Sequence, residues 1–155
     1  MPARKSKSEA QRAPEELDDA VLRSFVGYNL KRAYLTVHGD FIASLAGLEL
    51  RPTEFSALSL IVDNPDISQT ELARALSIER SNMVLVVDDL EDRELINRNR
   101  VKTDRRTYAL RATLKGRRLH DKAVAQIRAH EERVLSRLDP ADRRMLIEML
   151  NRIER

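Results

Sequence analysis

Apolar residues recur at three- and four-residue spacing through most of this chain, the period of one buried face on a helix. The first stripe covers residues 17–45 and includes Leu22, Phe25, Leu30, Val37, Phe41 and Leu45. At ~1.5 Å per residue, one continuous helix there spans on the order of 40 Å. A compact small domain cannot cover that length, so part of the stripe is expected to meet another subunit. A second stripe, residues 52–62, places Phe55, Leu58, Ile61 and Val62 inward, and Asn64-Pro65-Asp66 ends it. Pro52 suits the first position because the amide proton it lacks has no partner there. A long helix follows over residues 114–138, capped by Thr113. Asp139-Pro140-Ala141-Asp142 then opens the last helix with a capping carboxylate, a first-turn proline and a charge matched to the helix dipole. Met145, Leu146, Met149, Leu150 and Ile153 are its expected buried face. Unmatched apolar faces at both ends suit a two-fold dimer interface.

The middle of the chain breaks this rhythm. Ser68-Gln69-Thr70-Glu71 has the capping-box form, and Leu72, Ala73 and Leu76 follow at helical spacing. Ser77-Ile78 interrupts, and a second helix over residues 79–92 carries Met83, Val84, Val86, Val87 and Leu90 as its expected buried stripe. Residues 95–98 and 107–110 then read as two paired strands, joined by a loop over residues 99–106 that is rich in cations. Two helices on a tight turn followed by a basic hairpin describe a winged helix-turn-helix, which sets its second helix in the DNA major groove. The expected architecture is mainly α. A flexible basic tail (1–16) is followed by an N-terminal dimerisation helix (17–47), the winged domain (48–112) and C-terminal dimerisation helices (113–155).

Charge sharpens that picture. The whole chain is only +3, yet residues 93–118 hold ten Lys/Arg against Glu94 and Asp104, a local balance of +8 on an otherwise acidic protein. Such a patch is the footprint of a polyanionic partner; a solvated charged face is the plainer alternative. The chain has no cysteine, which excludes disulfides and thiolate metal sites. No apolar run approaches the ~20 residues that span a bilayer. Residues 1–16 lack the apolar core of a signal peptide, so a cytoplasmic protein without membrane partners is expected.

Residue chemistry assigns roles within the motif. Arg80, Ser81 and Asn82 form the first turn of the second helix, where Arg pairs bidentately with guanine and Asn with adenine. In the hairpin, Arg100, Lys102, Arg105 and Arg106 are placed to clamp phosphates or enter the minor groove. Ser68, Gln69 and Thr70 offer amides and hydroxyls to phosphate at a helix start, though capping alone explains Ser68 equally well. The first long stripe holds four of the six aromatics, with Lys31, Arg32 and His38 among them. Tyr28, Arg32, Tyr34, His38, Phe41 and Phe55 are the candidate lining for an aromatic, anionic small molecule. Aromatics at helical spacing are also what a core looks like.

Catalysis has little support. The three histidines form no His-Glu-x-x-His, and His120 and His130 fall on different faces of their helix at ~100° per residue. No phosphate-cradling glycine loop or nucleophile elbow is present. Asp88, Asp89, Glu91 and Asp92 read as a solvent-facing helix end rather than a metal site. No cofactor is expected.

Several of these segments together resemble the multiple-antibiotic-resistance regulator (MarR) family. They are Leu50-Arg51-Pro52-Thr53-Glu54-Phe55, Ser68 to Ala73, Leu90-Glu91-Asp92-Arg93, Asp104-Arg105-Arg106, and Leu110 to Gly116 with its Thr113-x-x-Gly116. The close match covers about residues 48–119. The resemblance implies a homodimeric repressor, with winged helices below and a helical interface above, released from a double-stranded operator by a small aromatic anion. It also implies that Asp104 orients the wing arginine. Residues 25–33 resemble a subgroup that regulates aromatic-acid breakdown, hydroxycinnamate use included, whose members sense acyl-coenzyme A thioesters. Two departures stand out. Glu94 occupies a position where the family usually has glycine, so the helix before it is expected to end by another route. Val84-Leu85-Val86 is apolar where the family often carries Arg or Lys. The competing reading from another class is a winged module that binds protein, with incidental basic charge.

Overall fold

The computed structural model describes residues 18–101 and 104–154, with the side chains of residues 100–107 outside that description. The chain divides into two compact units at Tyr34/Leu35.

In the first unit, α1 (Ala20–Arg23) precedes the start of α2 (Val26–Ala46). The single helix expected from residue 17 onward is thus broken at Ser24-Phe25. The cause is local. The Ser24 hydroxyl donates to the Val21 carbonyl at 2.6 Å, and the Ser24 amide donates to the same oxygen. Asn29 Nδ2 then donates to the carbonyls of Arg23 and Phe25, which satisfies acceptors the break leaves open.

The second unit contains α3 (Pro52–Asp63), β1 (Ile67–Ser68), α4 (Gln69–Ala75), α5 (Arg80–Asp92), β2 (Ile96–Val101), β3 (Asp104–Ala112), α6 (Leu114–Val134) and α7 (Pro140–Glu154). The sheet has three strands rather than two, in the order β1-β3-β2, all antiparallel. The third strand is the two-residue β1, where Ile67 faces Leu110 and Ser68 faces Ala109. The hairpin is also longer than its apolar pattern suggests. Both strands run through the basic segment, to Val101 on one side and from Asp104 on the other. Nine residues at ~3.4 Å each make β3 an arm of roughly 30 Å.

Two apolar clusters hold this unit together. Leu58, Ile61, Leu72, Met83, Leu90 and Leu110 centre the first, which joins α3, α4, α5 and the sheet. The second gathers Leu45, Leu48, Leu50 and Ala123, with Phe41, Phe55 and Ile127 against them. Val84, expected inward, is 40% exposed; the buried stripe of α5 is Met83, Val86, Val87 and Leu90. The expected buried face of α7 is likewise exposed within the chain, Ile153 to 65%. Its amphipathic pattern is real, but no element among the described residues covers it. The preceding helix stops at Val134, four residues early, in a turn over Leu135-Ser136-Arg137.

Candidate nucleic-acid interface and aromatic cluster

Residues 68–92 build a helix-turn-helix from local signals. The Ser68 hydroxyl accepts the Glu71 amide (3.2 Å) and donates to its carboxylate (2.7 Å), while that carboxylate accepts the Ser68 amide (2.9 Å). These bonds hold the Glu71 carboxyl below its ordinary range, with the Ser68 hydroxyl the main cause. Gln69 is half-buried and Thr70 exposed at the same helix start. At the other end of α4, Ser77 adopts φ 52°, and the amides of Ser77 and Ile78 donate back to Arg74 and Ala73. This is a Schellman stop on a non-glycine residue. It turns the chain into α5, whose Arg80, Ser81 and Asn82 are exposed in its first turn.

The C-terminal half of α5 is acidic, and the structure gives most of those carboxylates partners. Arg98 of β2 reaches both Asp88 and Glu91, and its amide donates to Glu91 Oε1 at 3.2 Å. Arg93 lies 3.3 Å from Asp89 and 3.5 Å from Glu54. Glu54 is 2% exposed and also accepts from the Arg51 amide at 2.9 Å. Arg111 of the sheet clasps the Asp66 carboxylate with Nε and one Nη of its guanidinium. Four of the ten cations between residues 93 and 118 (Arg93, Arg98, Arg111, Lys115) therefore face carboxylates of this chain. The patch is less free than the sequence count implies.

Arg100, Asp104, Arg105 and Arg106 lie on the strand ends, Arg100 paired with Tyr108 just before the register shift at Arg100/Val101 and Asp104 paired with Val101 just after it. Their side chains fall outside the described residues, as does Lys102 altogether.

A tight joint ties the end of α5 to the start of α6. Glu94 adopts φ 59°, and the amides of Glu94 and Leu95 donate to Glu91 and Leu90. The helix thus ends by the left-handed stop that glycine favours, with glutamate carrying it, contrary to the expectation of another route. The Thr113 amide donates to Leu95 O at 3.0 Å, and its hydroxyl donates to Glu94 O at 2.8 Å. That hydroxyl also accepts the Gly116 amide at 3.0 Å, capping α6. Lys115 Nζ donates to Arg93 O at 2.8 Å.

Of the candidate effector residues, the structure brings Phe41 and Phe55 together, edge to face at 6.3 Å. Phe55 stacks on His120 at 6.1 Å, and Phe41 packs against His130 at 6.3 Å. The two histidines on separate faces of α6 are thus linked through this phenylalanine pair. His130 is 1% exposed; its Nδ1 lies 2.5 Å from Asp40 Oδ2, and its Nε2 has no partner among the described residues. The hydrogen bond to His130 is the main reason the Asp40 carboxyl titrates below its usual range. His38 is half-buried in the same unit. In the first unit, Tyr28 donates to Asp19 at 3.1 Å beneath the Arg23 guanidinium, Arg32 is exposed, and Tyr34 is 57% exposed. A separate open cleft of about 610 Å³ lies among Ile42, Ala46, Leu50, Arg51, Glu54 and Arg93. Sequence reasoning missed Asp40, His120 and His130. Ninety positions separate Asp40 from His130, and no spacing rule links them. Among the described residues no helix is long and apolar enough to cross a membrane, and no group of three His, Asp or Glu side chains is placed to hold a metal.

Residues 50–108 match the model of the MarR family. The HTH-type transcriptional repressor Rv2887 of Mycobacterium tuberculosis is 33% identical over 88% of this chain and 95% of its own. The transcriptional repressor CouR bound to a 23-mer DNA duplex superposes with a TM-score of 0.85 at 40% identity, covering 90% of this chain and 99% of CouR. CouR bound to p-coumaroyl-CoA superposes at 0.77 with 38% identity, again over 90% and 99%.

Proposed function

The chain belongs to the MarR family, and on that premise we propose that it is a ligand-responsive transcriptional repressor. It binds an inverted-repeat operator as a homodimer and is released by an aromatic acyl-coenzyme A, with a hydroxycinnamoyl-CoA as the favoured effector. The observation that carries this reading is the exposed first turn of α5 beside a long basic-tipped hairpin, in a chain that superposes over nine-tenths of its length on a DNA-bound repressor.

Arg80, Ser81 and Asn82 approach the base edges, with Gln69 and Thr70 on phosphate at the start of α4. Arg100, Lys102, Arg105 and Arg106 reach the neighbouring backbone or minor groove, Asp104 steadying the arginines. Two-fold symmetry sets the recognition helices about one DNA turn, ~34 Å, apart. The uncovered apolar face of α7 supports the dimer. Leu146, Met149, Leu150 and Ile153 share one side of the helix and stay 38–65% exposed in the single chain. Such a face is normally closed by a partner.

For the effector, the Phe41–Phe55 pair and the ring of His120 offer an aromatic wall to a planar acyl group, with the buried His130 ring packed behind Phe41. Ligand seated there acts by differential affinity, favouring a lobe spacing that no longer fits adjacent grooves. Mobility shift with DNA upstream of the protein's own gene, together with sedimentation equilibrium, tests the first half of the reading. A specific shift by a species of twice the chain mass is expected. A monomer with no shift at low salt would favour the protein-binding module instead.

A further inference from the structure

Opposite its buried stripe, α5 presents Ser81, Leu85, Asp88 and Asp92 at successive helical spacing. Leu85 is 66% exposed, with Val84 beside it. A single exposed leucine is ordinary; the position of this one is what matters. Asp92 leaves the far half of the strip acidic, while the charge of Asp88 is met by Arg98. Phosphates are repelled from that half, so DNA is met by the near half, from the helix start as far as Leu85. Leu85 has no donor or acceptor and cannot read ring nitrogens, amino groups or carbonyl oxygens. The apolar feature that base edges show in the major groove is the C5-methyl of thymine.

We propose that Leu85, flanked by Val84, reads a thymine methyl group in each operator half-site. This inference rests on the DNA-binding reading above. It assigns base discrimination to the middle of the recognition helix, beyond the polar first turn.

The test begins by selecting binding sites from a random duplex pool with the full-length protein. A thymine should be fixed at one position of each half-site. That thymine is then replaced by deoxyuridine, which removes only the methyl group. Affinity of the wild type should fall about fourfold per half-site, the factor one buried methyl group contributes. Leu85→Ala, exposed and therefore tolerated by the fold, should bind the thymine and deoxyuridine duplexes alike. Wild type that binds both duplexes equally, or selects no fixed thymine, overturns the proposal and leaves the repressor reading standing. So does Leu85→Ala that keeps the full discrimination. A pool from which nothing is enriched removes the DNA-binding reading, and this inference with it.

Discussion

Gly116 packs directly on the backbone of Leu95. A Cβ built on Gly116 stands 2.9 Å from the Leu95 carbonyl carbon and closer still to its oxygen. Only glycine lets the first turn of α6 lie on the chain leaving α5. Gly116→Ala should therefore destabilise the protein by about 2 kcal/mol, the scale of forced overpacking, lowering its unfolding midpoint in urea. It should also weaken DNA binding, since the displaced turn holds the end of the recognition helix. An unchanged midpoint would mean that the two backbones separate at no cost.

Glu94 presents the opposite case. Its φ of 59° strains any residue with a Cβ. Glu94→Gly should stabilise by about 1 kcal/mol, despite losing its exposed contact with Lys115, because such pairs contribute little. Thermal unfolding of the two proteins measures this directly. A lower midpoint in the glycine variant would show that the left-handed turn is not where the strain lies.

Glu54 is buried between Arg51 and Arg93. Glu54→Ala takes one carboxylate from both cations, leaving Arg93 its contact with Asp89, and opens the α3 cap, for a cost of about 2 kcal/mol. Glu54→Gln, which keeps the shape and one acceptor, should cost less. Equal losses in the two variants would assign the effect to the lost charge rather than to shape and packing.

Asp66 carries a pH dependence. The Arg111 guanidinium hydrogen-bonded to it holds the Asp66 carboxyl below the usual range. Its folded pKa therefore lies below the unfolded one. The stability it lends is present at neutral pH and disappears as pH falls through the folded value, below about 4. The unfolding temperature of the wild type should drop more between pH 5 and pH 3 than that of Asp66→Asn. Both side chains are about half exposed, so the difference should be small. Parallel curves would contradict it.

For the proposed interface, Arg106→Ala should weaken binding to specific and random duplexes alike and lower the salt slope by about one. Arg80→Ala should instead relax base preference. Identical profiles from the two variants across a salt series would refute this division of labour.

The parts legible in the sequence are those set by neighbours along the chain. The Ser68 box, the Pro52 start and the buried stripe of α5 each depend on residues within a few positions. What the sequence hid depends on distance. Strand β1 is only two residues long and exists because Leu110 lies beside Ile67. The pairing of Arg98 with Asp88 and of Arg111 with Asp66 lowered a charge that a linear count had left free. Periodicity identified an apolar face on α7 but carried no sign of whether this chain would cover it. The break at Ser24 had a cue in Ser24 and Asn29, two residues whose side chains bond to local carbonyls, and the uninterrupted apolar stripe masked it. For the candidate site, the two helices and the turn between them were visible, apart from Val84, which was expected inward and lies outward. The histidines beside Phe41 and Phe55 were not, since α6 brings them there only through tertiary packing.

The most direct measurement is a titration of the labelled operator complex with p-coumaroyl-CoA, followed by fluorescence anisotropy, with free coenzyme A as control. The thioester should return the anisotropy to that of free DNA, while coenzyme A should leave it unchanged. Anisotropy that stays at the bound value, while a thermal shift shows the thioester on the protein, would contradict it.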